Sequence, residues 1–389
     1  MDNLIVGVDA SNIRAGGGLT HLKNLLDYFE TENSNIKKII VWGNQETLLK
    51  LPEKEHIIKE SHPLIKKSII SRTFWQKFIL PKLLEKNSVN ALLSPGGITP
   101  KRKKNIPYIA ISQNLLPFEK SEYTRYPILS YTRLRLFILR KAQLKSFKNS
   151  DGIIFLSEYA KNVIQKKLGN SEENYNIVIR HGIEKRFLKK PRVTTDIVNY
   201  SNQNPFKILY VSIINYYKHQ IKVAEACRKL REKGYPIEIE FIGPSYKPAL
   251  LDFEKYISNL DDSTFIKYSG KIPFEELHNK YYNADAFIFA SSCENLPNIL
   301  IEAMASGLPI ASSNKGPMPE VLGDAGVYFD PENVEEIAIA IETLLTNKEL
   351  RTKLANLAYK KAQEYSWENC AFETFKFVEN ICLKKEKVH

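Results

Sequence analysis

The sequence predicts an α/β protein of two doubly wound domains, each built on a parallel sheet, and three observations carry the prediction. Short apolar runs alternate with helical stretches throughout, as parallel strands joined by crossover helices require. The alternation breaks once, across a polar stretch without hydrophobic period at 189–205. A chain of 389 residues is also long enough to bury two substantial cores.

In the first half the strand-like runs are Leu4–Val8, Ile39–Trp42, Ala91–Ser94, Tyr108–Ser112, Ile153–Ser157 and Ile177–Arg180. In the second they are Ile208–Ile213, Glu238–Ile242, Phe265–Ser269, Ala286–Ala290, Ile310–Ser312 and Val327–Phe329. Helical patterns at 334–346, 348–364 and 366–384 follow. The resulting boundaries are a domain over 1–188, a linker over 189–205, a domain over 206–365 and a terminal helix over 366–389, with a cleft expected between the domains. The first strand leads through Asp9 to Gly16, Gly17 and Gly18, a glycine loop before a helix. Glycines there let backbone approach a ligand and expose N–H groups to a phosphate or a hydroxyl. Their spacing matches neither Gly-x-Gly-x-x-Gly nor a P-loop. Arg180-His181-Gly182 reads as a turn ending the first half.

The chain holds 56 Lys and Arg against 44 Asp and Glu, a net +12. Residues 101–150 alone hold twelve of the basic residues against Glu119 and Glu122, a net +10. So concentrated a charge attracts polyanions. Within it, Tyr126 to Lys141 interleaves bulky apolar and basic side chains as an interfacial helix does, and an ordinary domain helix with a solvated basic face is the equal alternative. No apolar run approaches the ~20 residues that cross a bilayer. The first strand begins almost at Met1 with no secretory signal before it, so a cytoplasmic protein is expected. Cys227, Cys293, Cys370 and Cys382 lie scattered, without the spacing of a disulfide framework or a zinc site.

The most informative stretch is Cys293 to Ile310. It follows the apolar run ending at Ala290, places Glu294 on a strand-to-helix loop and puts Glu302 inside the helix. Asn295 can cap that helix, Pro297 suits its first turn, and Gly307 followed by Pro309 ends it. A strand opening through a loop into a helix is where α/β proteins hold ligands, because free N–H groups and the helix dipole favour anions.

Glu294-x7-Glu302, followed by Ala303-Met304-Ala305-Ser306-Gly307-Leu308-Pro309-Ile310, Gly316-Pro317-Met318-Pro319-Glu320-Val321 and Gly323-Asp324-Ala325-Gly326, resembles the C-terminal half of retaining glycosyltransferases of family 4 (glycosyltransferase group 1 type). The resemblance implies the GT-B fold: two Rossmann-like domains facing a cleft, acceptor-binding first and donor-binding second, with the last helix crossing back to the first. It implies transfer of a hexosyl group from a nucleoside-diphosphate sugar to an acceptor hydroxyl with retention, the departing β-phosphate helping to take the acceptor's proton. By position, Glu294 matches the carboxylate on the donor sugar, Glu302 the one on the ribose, and Lys218 the lysine that neutralises the leaving diphosphate. Asn295, Leu296 and Asn298 match the segment whose amides meet diphosphate and sugar. Gly243, Lys271 and Ile272 match the base shelf. Gly16, Gly17 and Gly18, with Gln113 and Asn114, match the acceptor side.

Three places depart from the pattern. Ile213 stands where arginine is usual, Gln113 and Asn114 where His-Asp is common, and Pro297, which has no N–H, where glycine is frequent. Neither Gln113 nor Asn114 is a general base, which leaves them hydrogen bonding to sugar hydroxyls. No Asp-x-Asp signature ends a strand, so neither a metal nor another cofactor is expected. The resemblance and the basic window together point to a lipid-linked glycan acceptor in bacterial O-antigen or capsule synthesis, with peripheral contact between residues 101–148 and the anionic inner face of the plasma membrane. Two other readings stay open: a nucleotide-sugar binder without turnover, and a nucleic-acid-binding protein. The second lacks a recognisable reading module, so no nucleic acid is expected as partner.

Overall fold

The computed structural model describes residues 3–32, 34–100, 105–169 and 175–386. Seven parallel strands form one sheet: β1 (Leu4–Asp9), β2 (Ile36–Gly43), β3 (Ile57–Ser61), β4 (Ala91–Ser94), β5 (Tyr108–Ile111), β6 (Gly152–Phe155) and β7 (Tyr175–Val178), in the order β3-β2-β1-β4-β5-β6-β7. Six parallel strands form the other: β8 (Phe206–Val211), β9 (Ile237–Ile242), β10 (Ile266–Tyr268), β11 (Ala286–Phe289), β12 (Ile310–Ser313) and β13 (Val327–Phe329), in the order β10-β9-β8-β11-β12-β13. Of the helices, those that matter below are α1 (Gly17–Asp27), α2 (Ile69–Phe74), α3 (Tyr131–Lys148), α4 (Gln220–Glu232), α5 (Asn298–Ala305) and α6 (Trp367–Glu386).

The central strands are apolar along their length because both faces are covered; β4, β5, β6, β11 and β12 are buried at every residue. In each sheet the strand order reverses beside its first strand, between β1 and β4 and between β8 and β11. A reversal of this kind leaves a crevice outside the carboxyl ends of the strands, the usual place for a ligand in open α/β sheets.

The chain divides into two compact units, and neither is continuous in sequence. The first takes the chain up to Phe118, then Leu129–Gly182 and everything from Ser366; the second takes Glu119–Ile128 and Ile183–Tyr365. This differs from the expected boundaries in three stretches. Residues 183–188, expected in the first domain, go with the second unit. Residues 119–128 go with the second unit although they lie well inside the first half. Residues 189–205, expected to be a linker, are fastened to the second unit: Lys189 N–H donates to Ala305 O at 2.9 Å, Tyr200 hydroxyl to Asp285 at 3.1 Å, and Arg351 to Thr195 O at 2.5 Å.

Helix α6 completes the first unit. The Phe375 ring packs at a tilt against Phe29, centres 4.2 Å apart, and Glu379 accepts from Ser34 at 2.5 Å and from the Asn35 amide at 2.9 Å. It lies so close to β6 that a Cβ on Gly152 would sit 2.3 Å from Ile381 Cδ1. The four cysteines are buried thiols, none of them in a disulfide. No helix among the described residues is long and apolar enough to cross a membrane.

Candidate active site

Beyond the carboxyl end of β8 the chain makes a short 3-10 turn, Tyr216–Lys218, and passes through His219 in a left-handed conformation (φ 51°) before α4 begins. The turn carries Lys218 inward until only 3% of it is exposed. A buried ammonium requires a counter-charge, and the loop after β11 supplies it: Lys218 Nζ forms an ion pair with Glu294 Oε1. The same ammonium lies 5.0 Å from the centre of the Phe289 ring, and Tyr210 hydroxyl donates to the Lys218 carbonyl at 2.5 Å. Two predicted residues, 76 positions apart, thus meet at the switch point of the second sheet.

Helix α5 begins at Asn298, with Pro297 as its N-cap and no side-chain cap. This corrects two expectations. Asn295 does not cap the helix, and the Asn298 amide is engaged with Leu296 O at 3.0 Å, so it is not free to meet a phosphate. Asn295 and Leu296 are buried in the loop beside Glu294. Glu302 lies one turn into α5, buried, and accepts from Tyr281 hydroxyl at 2.9 Å. Burial pushes its pKa up to about 8, against the opposing effect of the Tyr281 hydrogen bond. A carboxyl in such a place binds vicinal hydroxyls as an acceptor when ionised and can donate when protonated.

Around this pair lies a network that no local sequence pattern announces. Ser292 hydroxyl donates to Glu122 at 2.6 Å, and His219 Nε2 is 3.0 Å from Ser292 Oγ. Arg125 holds Glu122 at 2.8 Å and Glu332 at 2.6 Å, while Tyr126 hydroxyl donates to Asn215 at 2.9 Å. Burial works to raise the Glu122 pKa, but the hydrogen bonds from Arg125 and Ser292 outweigh it and hold the carboxyl below its ordinary range. Burial, and then the nearby Arg125, bring His219 down to about 4, so it is neutral at pH 7. All of these residues belong to the second unit.

The residues read as a base shelf lie close together at the end of β9. Gly243 ends β9 with φ +147°, and a Cβ there would be 2.1 Å from Ser212 O, a close approach that only glycine permits. Its N–H donates to Gly270 O at 2.8 Å, next to exposed Lys271 and half-buried Ile272. Ile213 contributes no charge; its carbonyl accepts from Gln220 at 2.9 Å. A cavity of about 130 Å³ lined by Arg192, Tyr200, Asp285 and Arg351 lies away from these residues, since Asp285 precedes β11 and therefore marks the opposite edge of the sheet.

In the first unit, Gly16 (φ +69°) caps α1 while Gly17 and Gly18 already belong to the helix. The expected three-glycine loop is therefore a glycine cap. Asp9, at the end of β1, is buried; it accepts from Gln76 at 2.7 Å and from the Ser11 amide at 3.0 Å, and burial raises its pKa. Gln113 does not stand free for a sugar: its Nε2 is 2.5 Å from His21 Nδ1. Asn114 accepts from the Leu116 amide at 3.2 Å. His21 in turn stacks 4.3 Å from His181, which stacks 5.4 Å from Trp367. Burial, then His181, hold His21 well below its ordinary pKa, so it is a neutral acceptor toward Gln113. His181 is thus a buried stacking partner and not a turn residue.

Comparison with known proteins agrees with this picture. Residues 194–361 match the family model described as Glycosyl transferases group 1. A stretch of 110 residues is 36% identical to O-antigen chain mannosyltransferase B of Escherichia coli, covering 28% of this chain and 29% of that one, so the chain matches less than a third of that relative's length. The structure of Anabaena HepE in complex with UDP superposes with a TM-score of 0.69 at 15% identity, over 97% of this chain and 100% of that one. Sucrose-phosphate synthase from Thermosynechococcus elongatus superposes with a TM-score of 0.73 at 15% identity, over 97% and 99%. At these identities the structural likeness is one of fold: two Rossmann-like parallel-sheet domains of the GT-B class.

Proposed function

We propose that this protein is a retaining glycosyltransferase of family 4 that moves a hexosyl group from a nucleoside-diphosphate sugar to an acceptor hydroxyl. The observation that carries the reading is the buried Lys218–Glu294 pair at the switch point of the second sheet, with Glu302 one turn into the helix that follows Glu294. In this reading the donor's diphosphate takes Lys218 as its counter-ion, freeing Glu294 for the sugar's hydroxyls, while Glu302 holds the ribose and Gly243, Lys271 and Ile272 face the base. Positioning and charge stabilisation then do most of the catalysis, a single well-placed donor being worth ~3 kcal/mol. The departing β-phosphate serves as the base, with neither a metal nor another cofactor.

A donor of this class suits a fold shared with a protein solved with UDP. The likeness to an O-antigen chain mannosyltransferase of Escherichia coli supports O-antigen synthesis as the pathway, and a lipid-linked glycan, there or in capsule synthesis, is the acceptor we infer. The site of action is then the cytoplasmic face of the plasma membrane. Within the basic window, Arg133, Arg140, Lys141 and Lys145 of α3 are the residues we infer to meet such a surface; Lys101, Arg102, Lys103 and Lys104 lie outside the described residues. Each basic residue near an anionic leaflet is worth ~1 kcal/mol.

The test is nucleoside-diphosphate release from UDP-, GDP- and TDP-sugars with polyprenyl-linked acceptors, for wild type, Lys218→Ala and Glu302→Ala. One donor should be consumed, with Lys218→Ala slower by a factor of ~100 or more. Consumption of no donor while one nucleotide sugar still binds would favour an idle binder instead. That second reading draws on the uncharged Ile213 turn and on the ion pair that already satisfies Lys218.

A further inference from the structure

One surface of the first unit is left without a role by this function: the segment running from Pro63 through α2 to Lys82. Ser68 and Ser71 close a capping box at the start of α2. The helix then widens into a π turn at Trp75–Ile79, where Leu80 N–H reaches Trp75 O. Pro81 explains the widening, because it has no N–H to continue the ordinary ladder. The inner side of this segment is core: Trp75 is fully buried, and Gln76 is buried against Asp9. Its outer side is apolar and bare. Ile70 is 83% exposed, Ile69 58%, Phe74 51% and Phe78 49%. The rings of Phe74 and Phe78 lie 4.8 Å apart, and Lys77 sits 5.1 Å over Phe78. Between Glu60 and Glu85 there is no acidic residue, while Lys66, Lys67, Arg72, Lys77 and Lys82 are all basic.

We propose that this face docks the protein on an anionic phospholipid bilayer, with Ile70, Phe74 and Phe78 entering the interfacial layer and Lys66, Lys67 and Lys77 meeting head-group phosphates. An apolar strip flanked by lysines is the composition that partitions into such an interface, through buried area plus attraction to anionic lipid. A second copy of the chain would bring the same exposed lysines against one another. A bilayer supplies the opposite charge and an apolar layer together. The inference deepens the function proposed above and rests on it only for its purpose, since it gives a transferase with a lipid-borne acceptor a second attachment apart from α3.

The experiment is co-sedimentation of the full chain with phosphatidylcholine vesicles and with equal mixtures of phosphatidylcholine and phosphatidylglycerol. Wild type should bind the anionic vesicles and keep part of that binding at about 0.5 M salt, where exposed charges are screened within a few ångströms. The Ile70→Asp/Phe74→Asp variant, with an unchanged melting temperature, should bind at least about tenfold more weakly. The Lys66→Gln/Lys67→Gln/Lys77→Gln variant should lose only the salt-sensitive part. Should the aspartates disturb folding, Ile70→Ser/Phe74→Ser serves in their place with the same expectation. Undiminished binding of the apolar variant overturns the proposal, as does complete release of wild type by salt. Conversion of a dimer to a monomer by the apolar variant, with vesicle binding unchanged, overturns it in favour of a second copy. Turnover is not the readout, so lost vesicle binding with intact nucleotide release, or the reverse, separates this proposal from the function it serves.

Discussion

The carboxyl edges of the two sheets share a topology but differ in chemistry. At the second edge, opposite charges are kept largely out of solvent, with Lys218 against Glu294 and Arg125 against Glu122. At the first edge the buried groups tend to the uncharged state: burial raises the Asp9 pKa, His21 is neutral, and Gln113 is an amide. Neutral groups are the less costly to bury and suit hydroxyls, whereas a diphosphate needs a cation held ready for it. The same fold thus provides one edge for shape and hydrogen bonds and another for charge.

The contrast can be broken most sharply at glycine. At the second edge, Gly243→Ala forces a Cβ to 2.1 Å from a backbone carbonyl at φ +147°. It should cost about 4 kcal/mol, read from the urea midpoint. At the first edge, Gly18→Ala meets only the movable amide end of Gln113 at 3.0 Å and should cost about 1 kcal/mol or less. Equal costs would mean that the two edges are equally rigid.

A somewhat smaller effect concerns Glu302. Its pKa in the folded chain, about 8, lies above its ordinary 4.5, so the folded chain keeps a proton that the unfolded chain gives up. That contribution is fully present below about pH 4.5 and is lost as pH rises through 8. Wild type should therefore lose about 3 kcal/mol between pH 5 and pH 8, and Glu302→Gln should flatten the slope. Denaturant melts at both pH values decide it. The smallest effect belongs to the first edge: Gln113→Ala removes one hydrogen bond to His21, worth about 1 kcal/mol. It should lower the stability by that amount, read from the urea midpoint.

Most of the fold was legible because its central strands are buried on both faces and read as continuous apolar runs. The exception is β3, Ile57–Ser61, an edge strand whose Lys59 and Glu60 break the apolar pattern. The positions of Glu294 and Glu302 were legible because both sit on one loop and helix. Their supports were not. Tyr281 reaches Glu302 across 21 residues and Glu122 reaches Ser292 across 170, and no local pattern records such pairings. The Asn295 cap failed for a related reason: Pro297 took the cap position, and burial held Asn295 in the loop. Gln113 was read as open to sugars because nothing local announces that His21, 92 residues earlier, claims its amide.

Because the chain passes between its two units at 118, 128, 182 and 365, neither unit can be cut out as a single piece. A fragment spanning 183–365 would lack Glu122, Arg125 and Tyr126, leaving Ser292, Glu332 and Asn215 without those partners. During synthesis the order matters as well, since domains generally fold in the sequence in which they emerge from the ribosome. The first sheet is translated early, yet Phe375, Val378 and Ile381, which are buried in the helix that closes it, are translated only after the whole second unit. The nascent first half must wait, incompletely covered, until that helix arrives.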